Sequence, residues 1–235
     1  IGLHGLIYPA GFPYELVPEE YVADGRAELS DFDAVFLPCA EYLSEDHQRR
    51  LIDYVRGGGT LVAIEPPGVR DDLTRASKLL LREVYGIDDV SFDAESAEWS
   101  WEASRCTAGP LGMAEAGEGR AYITRTTLLR ALGDDPGGDA ILELLAETVK
   151  RDAWAENARF EVITRVTDEG DRYLFALNPG AEERQTDRVL LSGDVSAATD
   201  VSVEGGYPVP VAQQGERAAI EMTLGAGEMA VLWLR

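Results

Sequence analysis

The chain has 235 residues, 45% hydrophobic and 27% charged, a globular composition for which one large or two modest domains are expected. Its 43 acidic residues against 21 basic ones leave a net charge of −22. That field repels phosphate backbones and anionic surfaces, which argues against nucleic acid and membrane as partners. No apolar run approaches the ~20 residues of a membrane-spanning helix, and no charged segment leads into an apolar one, so no signal peptide is expected. The first residue is Ile1 rather than Met, which suggests a piece of a longer chain. The basic side holds 19 Arg but only Lys78 and Lys150 as lysines. Such a balance suits a high-salt cytoplasm, where salt screens self-repulsion, and equally a GC-rich genome.

The two cysteines, Cys39 and Cys106, form no disulfide framework and no metal motif, so a reduced cytoplasmic chain is the simplest expectation. His4 and His47 are too few and too far apart in sequence for a zinc site. No metal and no cofactor are expected.

In chain order, Gly2–Tyr8 reads as a first strand ended by Pro9 and the turn Gly11–Pro13. Asp33–Pro38 is a short apolar run of the kind a buried parallel strand shows. Ser44-Glu45-Asp46 places a hydroxyl cap ahead of acids in a first helical turn. Leu51, Ile52 and Val55 continue at helical spacing, and Gly57-Gly58-Gly59 stops the helix. Thr60–Ile64 is the next strand, which completes a βαβ unit. A second helix is predicted from about Leu73 to Tyr85. Ser91-Phe92 and Trp99-Ser100-Trp101 suggest irregular strands, Arg120–Thr124 another strand, and Asp139–Val149 a helix with an apolar stripe.

From about Trp154 the pattern changes to short strands divided by turn residues: Phe160–Val166, Arg172–Asn178, Arg188–Leu191, Ala198–Val203, Ala218–Thr223 and Met229–Leu234. This predicts an antiparallel β-sandwich of six or seven strands. The expected organisation is an α/β domain over residues 1–156 and a small β-sandwich over 157–235.

Cys39 follows a predicted strand, where a parallel sheet presents ligands, but it lacks the small flanking residues of a nucleophile elbow. A buried structural thiol is the favoured reading. His47, near the start of the following helix, is expected to face solvent. The triple glycine follows a helix and precedes a strand, the reverse of a phosphate loop. Glu15, Glu19, Glu20, Glu41 and Glu65 are acids near loops, and glycosidases use carboxylate pairs. An acid-rich chain supplies such pairs by chance, so none is assigned to catalysis. Glu41 and Glu65 stand out because both follow strands at the ligand-facing edge of the sheet. Trp99 and Trp101 share a strand face and could form a sugar platform, although packing or an interface is the commoner use.

Asp31–Pro38, Tyr42–Asp46, Leu51–Val55 and the block Tyr54-Val55-Arg56-Gly57-Gly58-Gly59-Thr60-Leu61-Val62 together resemble one module. It is the class I glutamine-amidotransferase-like, or trimerisation, domain of family 42 β-galactosidases. Gly117–Ile123 resembles that module's strand before its last helix, and Phe160–Asn178 with Val201–Leu234 resembles the β-sandwich that closes many glycosidases. The resemblance implies a flavodoxin-like parallel sheet followed by a small antiparallel β-sandwich. It also implies self-association, by family expectation as a trimer, and a partner in an upstream catalytic barrel of about 250 residues that this length cannot hold. No catalytic residue carries over to any position here, and the segment from Asp88 to Gly117 departs from the family pattern. The expected function is therefore a non-catalytic accessory or oligomerisation portion of a β-galactosidase-like glycoside hydrolase. The alternatives are a carbohydrate-binding module using Trp99, Trp101, Glu41 and Glu65, or a small thiol hydrolase using Cys39.

Overall fold

The computed structural model describes residues 2–69, 78–96, 98–125, 127, 136–180 and 183–235. They divide into two compact units, one of residues 1–3 and 15–149, the other of residues 4–14 and 150–235. The chain is mixed α/β with sheets predominating.

In the first unit, β1 (Val35–Pro38), β2 (Thr60–Ile64), β6 (Gly119–Thr124) and β5 (Leu111–Ala116) form a sheet in the order β1-β2-β6-β5. β1 runs parallel to β2 and β2 parallel to β6, while β5 closes the sheet antiparallel to β6. β2 is buried along nearly its whole length, as its apolar run requires. β1 is an edge strand and only half-buried, so the buried strand expected at Asp33–Pro38 is corrected to an edge position.

Between them runs α3 (Glu45–Arg56), capped as expected: Ser44 Oγ accepts from His47 N at 3.2 Å. Its buried stripe is Gln48, Leu51, Ile52 and Val55. The helix ends at Gly57, and Gly58 takes φ 107°, a conformation that glycine reaches without a Cβ penalty. Gln48 is fully buried, and its two polar ends are both used: Nε2 donates to Leu43 O at 2.9 Å, and Oε1 accepts from Leu80 N at 2.9 Å. Removing the cap, Ser44→Ala, is expected to lower stability by about 1 kcal/mol, read from the urea midpoint of the melt.

Of the helix predicted at Leu73–Tyr85, the stretch Leu73–Ser77 lies outside the described residues. The remainder ends in a π-type turn, α4 (Leu81–Tyr85), stopped by Gly86 at φ 67°. Leu80, Leu81, Val84 and Tyr85 are fully buried, and Tyr85 donates its hydroxyl to Tyr122 O at 3.1 Å. β3 (Ile87–Asp93) and β4 (Glu98–Ala103) form an antiparallel hairpin, and α5 (Pro136–Thr148) is the last helix.

Residues Gly2–Tyr8 do not form the expected strand. Gly2–Ile7 is a helix, α1, with Leu3, Leu6 and Ile7 at helical spacing; a short apolar run fits either period. The short helix α2 (Glu19–Ala23) follows it.

The second unit holds two antiparallel sheets, ordered β13-β14-β10-β7 and β12-β11-β15-β9-β8. The first contains β7 (Ala153–Ala155), β10 (Gln185–Ser192), β13 (Ala212–Gln214) and β14 (Arg217–Leu224). The second contains β8 (Glu161–Val166), β9 (Arg172–Leu177), β11 (Ala198–Asp200), β12 (Tyr207–Val209) and β15 (Met229–Leu234). One core joins them, with Phe160, Leu174, Val189, Leu191, Ile220 and Leu232 at its centre. Among the described residues nine strands replace the six or seven expected; β7, β12 and β13 have three residues each, too few to show alternation. β7 already pairs with β10, and so this unit begins at Lys150 rather than at residue 157. It also takes in residues 4–14. Ile7 and Phe12 are buried, and Gly11 at φ 78° lies where a Cβ would overlap Trp154.

Asp187 ties the strand entry of β10 together. Although only 3% exposed, it accepts from Asn157 Nδ2 at 2.8 Å, Arg159 N at 3.0 Å and Arg188 N at 2.7 Å. Burial alone would raise its carboxyl, but those hydrogen bonds together hold it below the usual carboxylate value. A depressed folded value means that the stabilisation is present above the unfolded value near 3.8 and is lost as pH falls below it. Urea midpoints are therefore expected to separate wild type from Asp187→Asn at pH 6 and to converge towards pH 3.

Candidate functional site

The carboxyl ends of β1 and β2 carry two residues in the left-handed region, Cys39 at φ 55° and Glu65 at φ 72°. Neither is glycine, so each holds a conformation that costs on the order of 1 kcal/mol or more. Two backbone bonds help to hold them: Cys39 N donates to Ile64 O at 3.1 Å, and Glu65 N donates to Thr124 Oγ1 at 3.3 Å. The loops beyond also meet, with Gly68 N donating to Ala40 O at 2.8 Å.

Glu65 is the hub of this edge. Its Oε1 accepts from Cys39 Sγ at 3.2 Å, and its Oε2 accepts from Trp99 Nε1 at 3.1 Å. Trp99 is half-buried, with its ring centroid 5.0 Å from that of the exposed Phe92 directly across the hairpin. Trp101 is buried in the unit's core, with the Arg125 guanidinium 4.0 Å from its ring centroid. The structure thus brings Glu65 and Trp99 together with Cys39. It places Trp101 inside the core and leaves Glu41 half-buried in the loop between β1 and α3. The link from Glu65 to Cys39 and Trp99 had one sequence signal: Cys39 and Glu65 each directly follow a parallel strand.

The chemistry of this edge is that of a held thiol. Partial desolvation pushes the Cys39 thiol up to about 11, and its hydrogen bond to the Glu65 carboxylate adds to the effect, so it stays protonated at neutral pH. The residue is exposed, which corrects the buried thiol expected from sequence, and both cysteines are free. His47 does not face solvent as expected. Its Nδ1 lies 2.8 Å from Ser44 Oγ, and its Nε2 is buried with no hydrogen-bond partner among the described residues.

A second concavity, an open groove of about 630 Å³, is lined by Asp33, Asp53, Tyr54, Arg50 and Gly57–Gly59 among others. It lies by the amino ends of β1 and β2, opposite the Cys39–Glu65 edge. The carboxyl end of α3 and two aspartates make it unsuited to phosphate. Among the described residues no group of three His, Cys, Asp or Glu could hold a metal ion, and no helix is long and apolar enough to cross a membrane.

No family model matches the sequence, and no curated protein matches it either. Solved structures do match the fold. A catalytic mutant of Gan42B, a GH42 β-galactosidase from G. stearothermophilus, superposes with a TM-score of 0.71 at 18% identity over 97% of this chain and 35% of its own. A β-galactosidase from Rahnella sp. R3 gives 0.65 at 15% identity over 97% and 35%. The β-galactosidase of the Antarctic haloarchaeon Halorubrum lacusprofundi gives 0.60 at 16% over 99% and 35%. The chain thus has the fold of part of these β-galactosidases and spans about a third of their length.

Proposed function

We propose that this chain is the non-catalytic accessory and assembly portion of a glycoside hydrolase of the family 42 β-galactosidase type. In this reading the first unit is an amidotransferase-like, flavodoxin-type module that associates with copies of itself as a trimer, and the second is the closing β-sandwich. The observation that carries it is coverage: 97% of this chain against 35% of the β-galactosidase it superposes on. The uncovered two-thirds of such a chain is ample for a (β/α) barrel of about 250 residues. The parallel order β1-β2-β6 supports the flavodoxin-type assignment, whereas the helix at Gly2–Ile7 stands where a further strand was expected.

Light scattering in low salt and in molar salt tests the assembly role. Self-repulsion at −22 is screened within about 3 Å at 1 M, so a trimer that tightens with salt is the expected result. A monomer in both conditions removes that role. Turnover of an aryl β-galactoside by the purified chain would contradict the non-catalytic reading.

A second reading, a carbohydrate-binding edge, is favoured by the exposed Phe92 beside Trp99 and the Glu65 carboxylate. Saturable change of tryptophan fluorescence with galactosides, lost in Phe92→Ala, is its expected signature. The thiol-hydrolase alternative has a protonated thiol against it.

A further inference from the structure

Two arginines of the second unit converge on a single indole. Arg151 Cζ lies 4.5 Å from the Trp154 ring centroid, and Arg217 Cζ lies 5.0 Å from it. The convergence follows from the sheet order β14-β10-β7: Arg217 opens β14 opposite Ser192 of β10, and Trp154 of β7 lies opposite Leu190 of the same strand. Arg151 stands just before β7. It donates one N–H to Ala10 O at 3.1 Å and packs 5.0 Å from the Phe12 ring centroid. The indole face attracts each cation and so holds both in place.

These two cations have no ion-pair partner among the described residues. The chain carries about twice as many acids as bases, yet here two guanidiniums meet on one ring without a carboxylate. Like charges repel, and the Arg217 charge acts on Arg151. Arg151 accordingly holds its proton less firmly than an ordinary arginine, first through burial and then through Arg217. Hydrogen-bonding capacity is also left over. A guanidinium offers five N–H donors; the Arg151 side chain uses one on Ala10 O, and that of Arg217 bonds no acceptor among the described residues. Arg217 is exposed, while Arg151 and Trp154 are half-buried, which leaves the pair open to solvent on one side.

We propose that Arg151 and Arg217 form an oxyanion-binding site, which takes the carboxylate or sulfate group of a small ligand. The planar fork of a guanidinium matches such groups with paired hydrogen bonds, and an anion beside the two cations offsets their repulsion. The shared chemistry has two sources, a free inorganic anion or an acidic sugar. The site lies within the second unit and is independent of any accessory role, so each proposal can fail without the other.

The test titrates the full 235-residue chain with sodium sulfate and, separately, with glucuronate at fixed ionic strength, followed by calorimetry and by NMR of the arginine Nε–H and tryptophan indole signals. Saturable binding is expected, weakened at least about tenfold in Arg217→Gln, as loss of a charge-assisted hydrogen-bond pair requires. Arg217→Lys keeps the charge without the fork and is expected to fall between the two. An unchanged melt for both variants shows that the loss is local, because Arg217 is exposed. Tighter binding of glucuronate supports the site and names an acidic sugar as its ligand; equal binding supports it as a plain oxyanion site. Absence of saturation with both probes, or equal affinity in Arg217→Gln, overturns the proposal.

Discussion

Asn178→Asp is expected to destabilise the β-sandwich by roughly 3–5 kcal/mol, a large share of the 5–15 kcal/mol that holds a typical domain together. Asn178 is fully buried at the end of β9. Its Nδ2 donates to Glu183 O at 2.9 Å, Leu224 O at 3.1 Å and Gly225 O at 3.0 Å, while its Oδ1 accepts from Gly180 N at 2.9 Å. Its backbone closes the same knot, with N donating to Glu228 O at 3.0 Å and O accepting from Gly227 N at 3.1 Å. One amide thereby ties the ends of β9 and β14 to the turn before β15. A carboxylate of the same shape turns an oxygen towards three carbonyl oxygens. Ionised, it is a buried charge with only the Gly180 N–H as donor and three carbonyls against its other oxygen; protonated, it has one O–H for three acceptors. The melting temperature is expected to fall by at least about 12 °C for a unit of this size. A shift under about 2 °C would show that the knot contributes nothing.

Gly119→Ala is the counterpart in the first unit, with an expected loss of roughly 3 kcal/mol. Gly119 opens β6 under the carboxyl end of α3, and a Cβ there overlaps the carbonyl oxygens of Val55 and Gly59. Both are backbone atoms, so no rotamer change relieves the contact. The helix end must lift from the sheet, or β6 must slip against β2. Gly117 repeats the constraint two residues earlier, at φ 66° with Arg56 O 2.5 Å from the position of a Cβ. Hydrogen exchange is the measurement of choice: amides of β2 and β6 are expected to lose protection in Gly119→Ala, while those of β9 and β14 keep theirs. Unchanged protection in β2 and β6 would mean that this close approach is not a constraint. Paired with Asn178→Asp, the variant also tests whether the two units lose structure separately.

The reading of the carboxyl edge as a held thiol rather than a nucleophile has the same geometric basis. A nucleophilic Cys39 needs a base that removes its proton, and what faces it is a carboxylate that accepts the proton in a hydrogen bond and disfavours the thiolate. His47 is engaged with Ser44 at the start of α3.

Much of the fold was legible because it rests on local chemistry. β2 falls where the run Thr60–Ile64 placed it, since five apolar or β-branched residues between a triple glycine and a proline pair leave few other outcomes. α3 begins at its serine cap and ends at its glycines because capping and left-handed stops are decided within a few residues. The longer sandwich strands, β8, β9, β10, β14 and β15, were likewise visible in their apolar patterning.

Tertiary structure decided the rest. Gly2–Ile7 is too short for its period to choose between strand and helix, and the helix it forms could not be read from that run alone. The three-residue strands β7 and β13 each pair with an eight-residue strand, and β12 pairs with β11, itself three residues long and held by β15; no local propensity reveals such pairings. The contacts that define the candidate sites join Cys39 to Glu65, Glu65 to Trp99, and Arg151 and Arg217 to Trp154. Hydrogen bonds and ring contacts act over a few ångströms of space, whereas a sequence orders residues along the chain. The sequence by itself therefore determined the longer elements and the charge, and only the tertiary structure determined the shortest elements and which side chains meet.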